Sequence, residues 1–299
     1  MNIKQIWTLV KAAFSSWRDD YAPSMGAALA YYTMFSIAPL LLIVISTAGL
    51  VFGEEAVRGE IFGQLQGLMG DQGAKAVQGL LESVSEPKEG IAGTIIGAIL
   101  LLIGATTVFG ELQDAFDRIW RAPNKDKNGG LWRLLRSRLL SFGIILGIGF
   151  LLMVSLVFSA AIAALGKWWG PFFSNLEIVA TAVNFLVSFA LMTTVFAMLY
   201  KFMPRVKIDW RDVWAGATVT ALLFTVGKIL IGIYIGKSAI SSGFGAAGSL
   251  VVVLVWVYYS AQIFLLGAEF TWVYAHAHGS KKESTPSAQD NGYHRIKQT

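Results

Sequence analysis

Apolar and polar positions alternate on the scale of whole helices. Six apolar runs reach the length of about 20 residues that a helix needs to cross a hydrocarbon layer. They cover residues 24–52, 91–110, 139–165, 178–200, 213–235 and 250–275. Two further segments are amphipathic. Along residues 3–17, Ile3, Ile6, Trp7, Val10, Phe14 and Trp17 form one stripe, with Lys4, Lys11 and Arg18 beside it. That pattern predicts a helix lying in the headgroup plane. Along residues 54–90, the stripe Val57, Ile61, Leu65, Leu68 is followed by the stripe Val77, Leu80, Leu81, Val84, with Gly70–Asp71 between them. This predicts a helical hairpin over the outer mouth of the bundle, as a structural cap or a substrate-facing lid.

The expected fold is therefore an all-α polytopic membrane protein. An interfacial helix covers 1–23, a six-helix transmembrane domain covers 24–275 with the hairpin 54–90 as an insert, and a disordered tail covers 276–299. Composition supports this class. Of 299 residues, 55% are hydrophobic and 14% charged, against about 25% charged in soluble domains. A net charge of +5 would by itself admit nucleic acid as a partner, so the placement of the charges decides. With the N-terminus inside, the inner segments hold 18 Lys and Arg and the outer loops hold 5. Cytoplasmic loops carry such an excess, which predicts both termini in the cytoplasm of a bacterial inner membrane. The basic residues are then a topology signal, and no nucleic-acid partner is expected. The first apolar run is too long for a signal-peptide core. Trp120, Trp132, Trp168, Trp169, Trp210, Trp214 and Trp272 sit at span ends as an interfacial belt.

Candidate chemistry is sparse. The chain has no Cys, and its three His lie beyond residue 275, so no metal site, cofactor or catalytic residue is predicted. Lys228, inside the fifth run, is the basic residue that topology does not explain. It either serves function, as intramembrane charges do by default, or snorkels to the outer headgroups. Asn184 is expected at similar depth, and Gln262 near the middle of the sixth run. At the inner mouth, Glu111, Asp114 and Arg118 share a helix face, with Asp114 and Arg118 spaced for an ion pair. Glu269, near the inner end of the sixth run, is placed to face them. In the first run Tyr32 and Ser36 share a face with Pro39, which invites a kink. Together these residues form a candidate polar track, or a set of interhelical hydrogen bonds without a ligand.

Three stretches carry a family resemblance: Ala27–Pro39 as A-x-x-x-Y-Y-x-x-x-S-x-x-P, Phe109–Trp120 as F-x-x-L-Q-D-A-x-x-x-I-W, and Tyr200–Glu269, which ends in Gln262-Ile-Phe-Leu-Leu-Gly267-Ala-Glu269. They resemble the YihY/BrkB family of bacterial inner-membrane proteins over about residues 10–275. Phe116 and Asp117 stand where relatives often carry Leu and Asn. The resemblance implies a six-helix inner-membrane protein and an association with virulence and serum resistance. An old ribonuclease label attaches to the family. Phosphodiester hydrolysis usually wants a metal site or an acid–base pair beside a basic groove, and this chain has no such cluster, so no enzyme activity is expected.

The leading functional expectation is a transporter or flippase for an amphipathic or lipid-linked envelope molecule, with membrane lipids as partners. The rivals are a non-transporting envelope scaffold and, third, a headgroup-modifying enzyme using Glu111 or Asp114 as base. A homo-oligomer is compatible with the sequence and not fixed by it.

Overall fold

The computed structural model describes residues 3–85, 107–108, 110–122, 176–237 and 247–281. The predicted runs 139–165 and most of 91–110 lie outside them, as do residues 282–299. Six long helices are named here in chain order. They are α1 (Ile3–Asp19), α2 (Ala22–Phe52), α3 (Glu54–Ser85), α4 (Leu176–Phe202), α5 (Trp210–Lys237) and α6 (Gly248–Ala277). A shorter helical segment occupies 110–119. Four stretches are long and apolar enough to cross a membrane: Ala22–Ser46, Ala182–Phe202, Trp210–Lys237 and Gly248–Ala277. They coincide with four of the six predicted runs. α2 continues as one helix through Pro39.

Helices α5 and α6 run antiparallel in close contact, and small residues make this approach geometrically allowed. A Cβ on Gly216 would fall on the Thr271 side chain, and one on Gly267 would fall on Thr220 and the Tyr200 hydroxyl. Without the hydrophobic drive that water supplies, helices in lipid associate through such close backbone contact and interhelical hydrogen bonds. The hydroxyls of Tyr200, Thr220 and Thr271 in this seam are engaged. Thr220 Oγ1 donates to the Gly216 carbonyl at 2.8 Å, and Thr271 Oγ1 to the Gly267 carbonyl at 2.7 Å. Tyr200 of α4 donates to the Phe264 carbonyl at 2.8 Å and lies 2.9 Å from Thr220 Oγ1. Phe116, Phe196 and Phe264 make ring contacts with Tyr200, and Phe224 packs edge-on against Phe196. The opposite flank of α5 exposes Leu222, Val226, Ile229, Leu230 and Ile233, a surface suited to lipid.

Helix α1 docks on α6 through Leu9 and Ala13, which pack against Phe270 and Val273. Neither residue belongs to the predicted stripe. The stripe's Ile6, Trp7, Val10 and Phe14 point outward and are exposed, with Lys11 over the Trp7 ring at 5.2 Å. α1 thus has two apolar faces, one for the bundle and one left open.

Helix α3 is broken at Gly70, whose φ of 76° and ψ of 173° are non-helical. This is the predicted turn position, and a left-handed φ is accessible there because glycine lacks Cβ. Toward the other end of the chain α6 extends through Ala277, and the described residues continue to Lys281. Ser280 donates from N at 3.2 Å and from Oγ at 2.6 Å to Oδ2 of Asp212, a fully buried carboxylate in the first turn of α5.

Gly267→Ala drives a methyl into the Tyr200–Thr220 pair. Overpacking of this kind costs about 1–3 kcal/mol. A lowered thermal midpoint in detergent is expected, while Gly63→Ala, at an open position, leaves it unchanged.

Candidate functional site

The site is built at the end of the bundle where α1, α2 and α6 meet. Two backbone turns define it. Between α1 and α2 the chain reverses at Tyr21, which holds φ at 58°. The segment 110–119 ends at Arg121, φ 48°, with Arg121 N bonding the Arg118 carbonyl and Ala122 N the Asp117 carbonyl. That double bond pattern is the helix stop in which glycine usually takes the left-handed place. A tyrosine and an arginine hold those places here, and both side chains are used. The Arg118 guanidinium lies over the Tyr21 ring at 5.0 Å, and that of Arg121 over Trp272 at 4.5 Å. Cations over aromatic faces are attracted by the ring quadrupole.

Behind these turns lies Glu269 of α6, fully buried. Among the described residues no N–H or O–H donor reaches either of its carboxyl oxygens. Asp20 and Asp19 lie near it as like charges, and Arg121 as the opposite one. Seven residues back on the same helix face, the Gln262 amide is also buried without a partner. Gly26 of α2 leaves it room, since a Cβ there would sit on Gln262 Nε2. The Trp17 indole N–H of α1 is likewise buried and unpartnered. Each such group costs about 1–3 kcal/mol. A set of them along one face is how a protein prepares a place for a small polar ligand, an ion or water. No group of three or more His, Asp or Glu able to hold a metal gathers among the described residues.

The other predicted residues are placed differently. Arg118 does not pair with Asp114, which is exposed. The ion pair of this segment is Asp117 with Arg205, at 2.8 Å. Arg205 also donates from its backbone N to Asp117 and from its guanidinium to Gln113, whose amide donates to the Met203 carbonyl. The sequence reading missed this link between 110–119 and the turn after α4. Its signal was the acid standing where relatives often carry Asn. Glu111 is half-buried on the same segment. Ser36 is buried and donates to the Thr33 carbonyl within its own helix at 3.2 Å. Tyr32 is half-buried and packs edge-on against Tyr31.

Lys228 makes no contact with Glu269 among the described residues. Its Nζ donates to the Gly67 carbonyl at 3.3 Å, in the last turn of α3 before the Gly70 break, where carbonyls lose their helical partners. A lysine there satisfies a helix C-terminus and its dipole, so the residue unexplained by topology pins α3 to the bundle. The α4–α5 contacts Tyr200–Thr220 and Phe196–Phe224 set Lys228 opposite about position 192. Asn184 lies about 12 Å further along the axis and is exposed, so the structure does not bring the two together. The expected track is thus two separate sites, the buried polar groups around Glu269 and the Lys228 latch.

The Asp117 carboxyl sits above its ordinary pKa because burial outweighs the pull of Arg205, with Asp114 pushing in the same direction as burial. A carboxyl with a raised folded-state pKa contributes stability below its unfolded value and loses it as pH rises through the folded one. Asp117→Asn therefore flattens the pH dependence of the thermal midpoint in the acidic range and does not lower the midpoint at neutral pH. Arg205→Ala lowers the neutral-pH midpoint. Thermal melts across pH check both.

No solved structure matches the chain. A UPF0761 membrane protein of Pseudomonas aeruginosa strain LESB58 is 29% identical over 83% of this chain and 58% of its own length. One from Psychrobacter is 26% identical over 85% and 46%, and one from Tolumonas auensis 28% over 85% and 82%. The chain spans somewhat more than half the length of the Pseudomonas relatives. The family model described as virulence factor BrkB matches residues 13–292, across Glu269, the Asp117–Arg205 link and the α5–α6 seam, and the chain belongs to this BrkB family of membrane proteins.

Proposed function

We propose that the protein is a transporter or flippase for an amphipathic or lipid-linked envelope molecule, with the Glu269 pocket as its polar working site. The observation carrying this reading is a fully buried carboxyl, without a donor, on a membrane helix. Intramembrane ionisable groups are costly and mark ion, proton or substrate paths by default. Gln262 extends the pocket along the same face toward the bundle centre. Arg121 and Arg118, held over Trp272 and Tyr21, put positive charge at its mouth. The Lys and Arg distribution supports an inner-membrane location with both termini cytoplasmic.

A scaffold reading has one observation in its favour. The α4–α5–α6 seam around Tyr200 is closely packed, with its hydroxyls satisfied internally. On that reading Glu269 is a structural burden, and replacing it is harmless.

Reconstitution of the full chain in liposomes with labelled lipids separates the two. Transfer between leaflets faster than in protein-free liposomes is expected, with Glu269→Gln slowing it about tenfold or more, a barrier change of about 1.4 kcal/mol. Equal rates with and without protein would remove the transport reading for the lipids tested. A Glu269→Gln protein as fast as the parent would move the working site elsewhere.

A further inference from the structure

The end of the bundle opposite Glu269 contains a cavity of about 340 Å³ between α2 and the two halves of α3. Its walls are apolar: Leu41 and Ile45 from α2, Ile61, Phe62 and Leu65 before the Gly70 break, and Ala74, Val77 and Leu81 after it. Two charged side chains line it, Arg58 on one half of α3 and Glu82 on the other. Glu82 also accepts from Gln78 at 2.9 Å, whereas Arg58 has no ion-pair partner among the described residues. Leu40 and Val44, neighbours in sequence of the lining residues Leu41 and Ile45, are exposed on α2. The cavity therefore adjoins the flank of a candidate membrane span.

We infer that this cavity binds one acyl chain of an aminophospholipid, with the phosphate at Arg58 and the primary amine at Glu82. The apolar part of the lining would solvate a hydrocarbon chain, while the polar side chains Arg58, Gln78 and Glu82 face a headgroup. At about 30 Å³ per water-sized group, the volume holds about eleven chain methylenes. The rim carries one charge of each sign, on opposite walls. A headgroup with a phosphate alone meets repulsion from Glu82, and a quaternary amine offers Glu82 no N–H. A phosphate with a primary amine complements both, and charge-assisted hydrogen bonds of this kind are the stronger ones. The Gly70 break lets one helix supply both walls, and the Lys228 bond to Gly67 holds the first half of α3 against the bundle. The inference deepens the transport reading, on which it rests only for calling this lipid a substrate.

The test is native mass spectrometry of the full chain, titrated separately with dioleoyl phosphatidylethanolamine, phosphatidylcholine and phosphatidylglycerol. Phosphatidylethanolamine is expected to bind about tenfold tighter than the other two. Arg58→Gln and Glu82→Gln should each weaken it about tenfold, the loss typical of one charged hydrogen bond. Ala74→Phe, which fills the cavity from a fully buried position, should abolish the preference. Should Ala74→Phe fail to fold, the two rim variants carry the test, because neither residue is in the core. Equal binding of the three lipids, unchanged binding in the rim variants, or a lipid-free dimer in place of the lipid complex overturns the inference. Lipid binding is read without transport. A protein that binds phosphatidylethanolamine here but moves no lipid loses the transport reading alone. One that moves lipid but binds none here loses this inference alone.

Discussion

The contact between α5 and α6 sets the frame for everything else. Gly216 faces Thr271, and Gly267 faces Thr220 and Tyr200, so the two backbones approach as closely as side chains elsewhere would forbid. Once those pairs are in register, a slip of one residue would drive a side chain into each gap. The register in turn fixes depth. Lys228 falls near the level of Tyr259, about 15 Å along the axis from Glu269, and the two charges cannot meet. The division of polar residues into two sites follows from two glycines and two threonines.

The second frame is electrostatic. A buried carboxyl normally acquires donors, and Asp212 shows the ordinary solution: Ser280 supplies an N–H and a hydroxyl, and Gly279 leaves room for the oxygen that stays unbonded. Glu269, on the same helix bundle and equally buried, faces another acid instead. The contrast within one molecule separates a carboxylate used as a structural clamp from one left without a donor.

Much of this was legible in the residue pattern. Long apolar runs give helices with little ambiguity, and four of the six predicted runs coincide with candidate membrane spans; run 139–165 and most of 91–110 lie outside the described residues. The turn at Gly70 was legible because glycine followed by aspartate between two apolar stripes has few other uses. Glu269 stood out as an acid in an apolar run. What the pattern could not carry was partnership across elements. Arg118 at helical spacing from Asp114 reads as an ion pair, yet the ring of Tyr21 comes from another element and wins. Asp117 finds Arg205 some ninety residues away. The stripe on α1 marked an open face, while two small-footprint residues, Leu9 and Ala13, do the docking. Lys228 was read by depth, and depth cannot reveal that a broken helix presents a carbonyl beside it.

Tyr21 and Arg121 have a consequence for how this protein tolerates change. Each occupies a left-handed backbone position where a side chain costs about 1–2 kcal/mol relative to glycine. Relief is one substitution away at both places. Taking it would discard the ring under Arg118 or the guanidinium over Trp272, and with them the arrangement around Glu269. Backbone relief and these ring contacts therefore pull in opposite directions at the two residues, and a population of variants chosen for thermal robustness alone would drift toward glycine or asparagine there while the contacts over Tyr21 and Trp272 were lost.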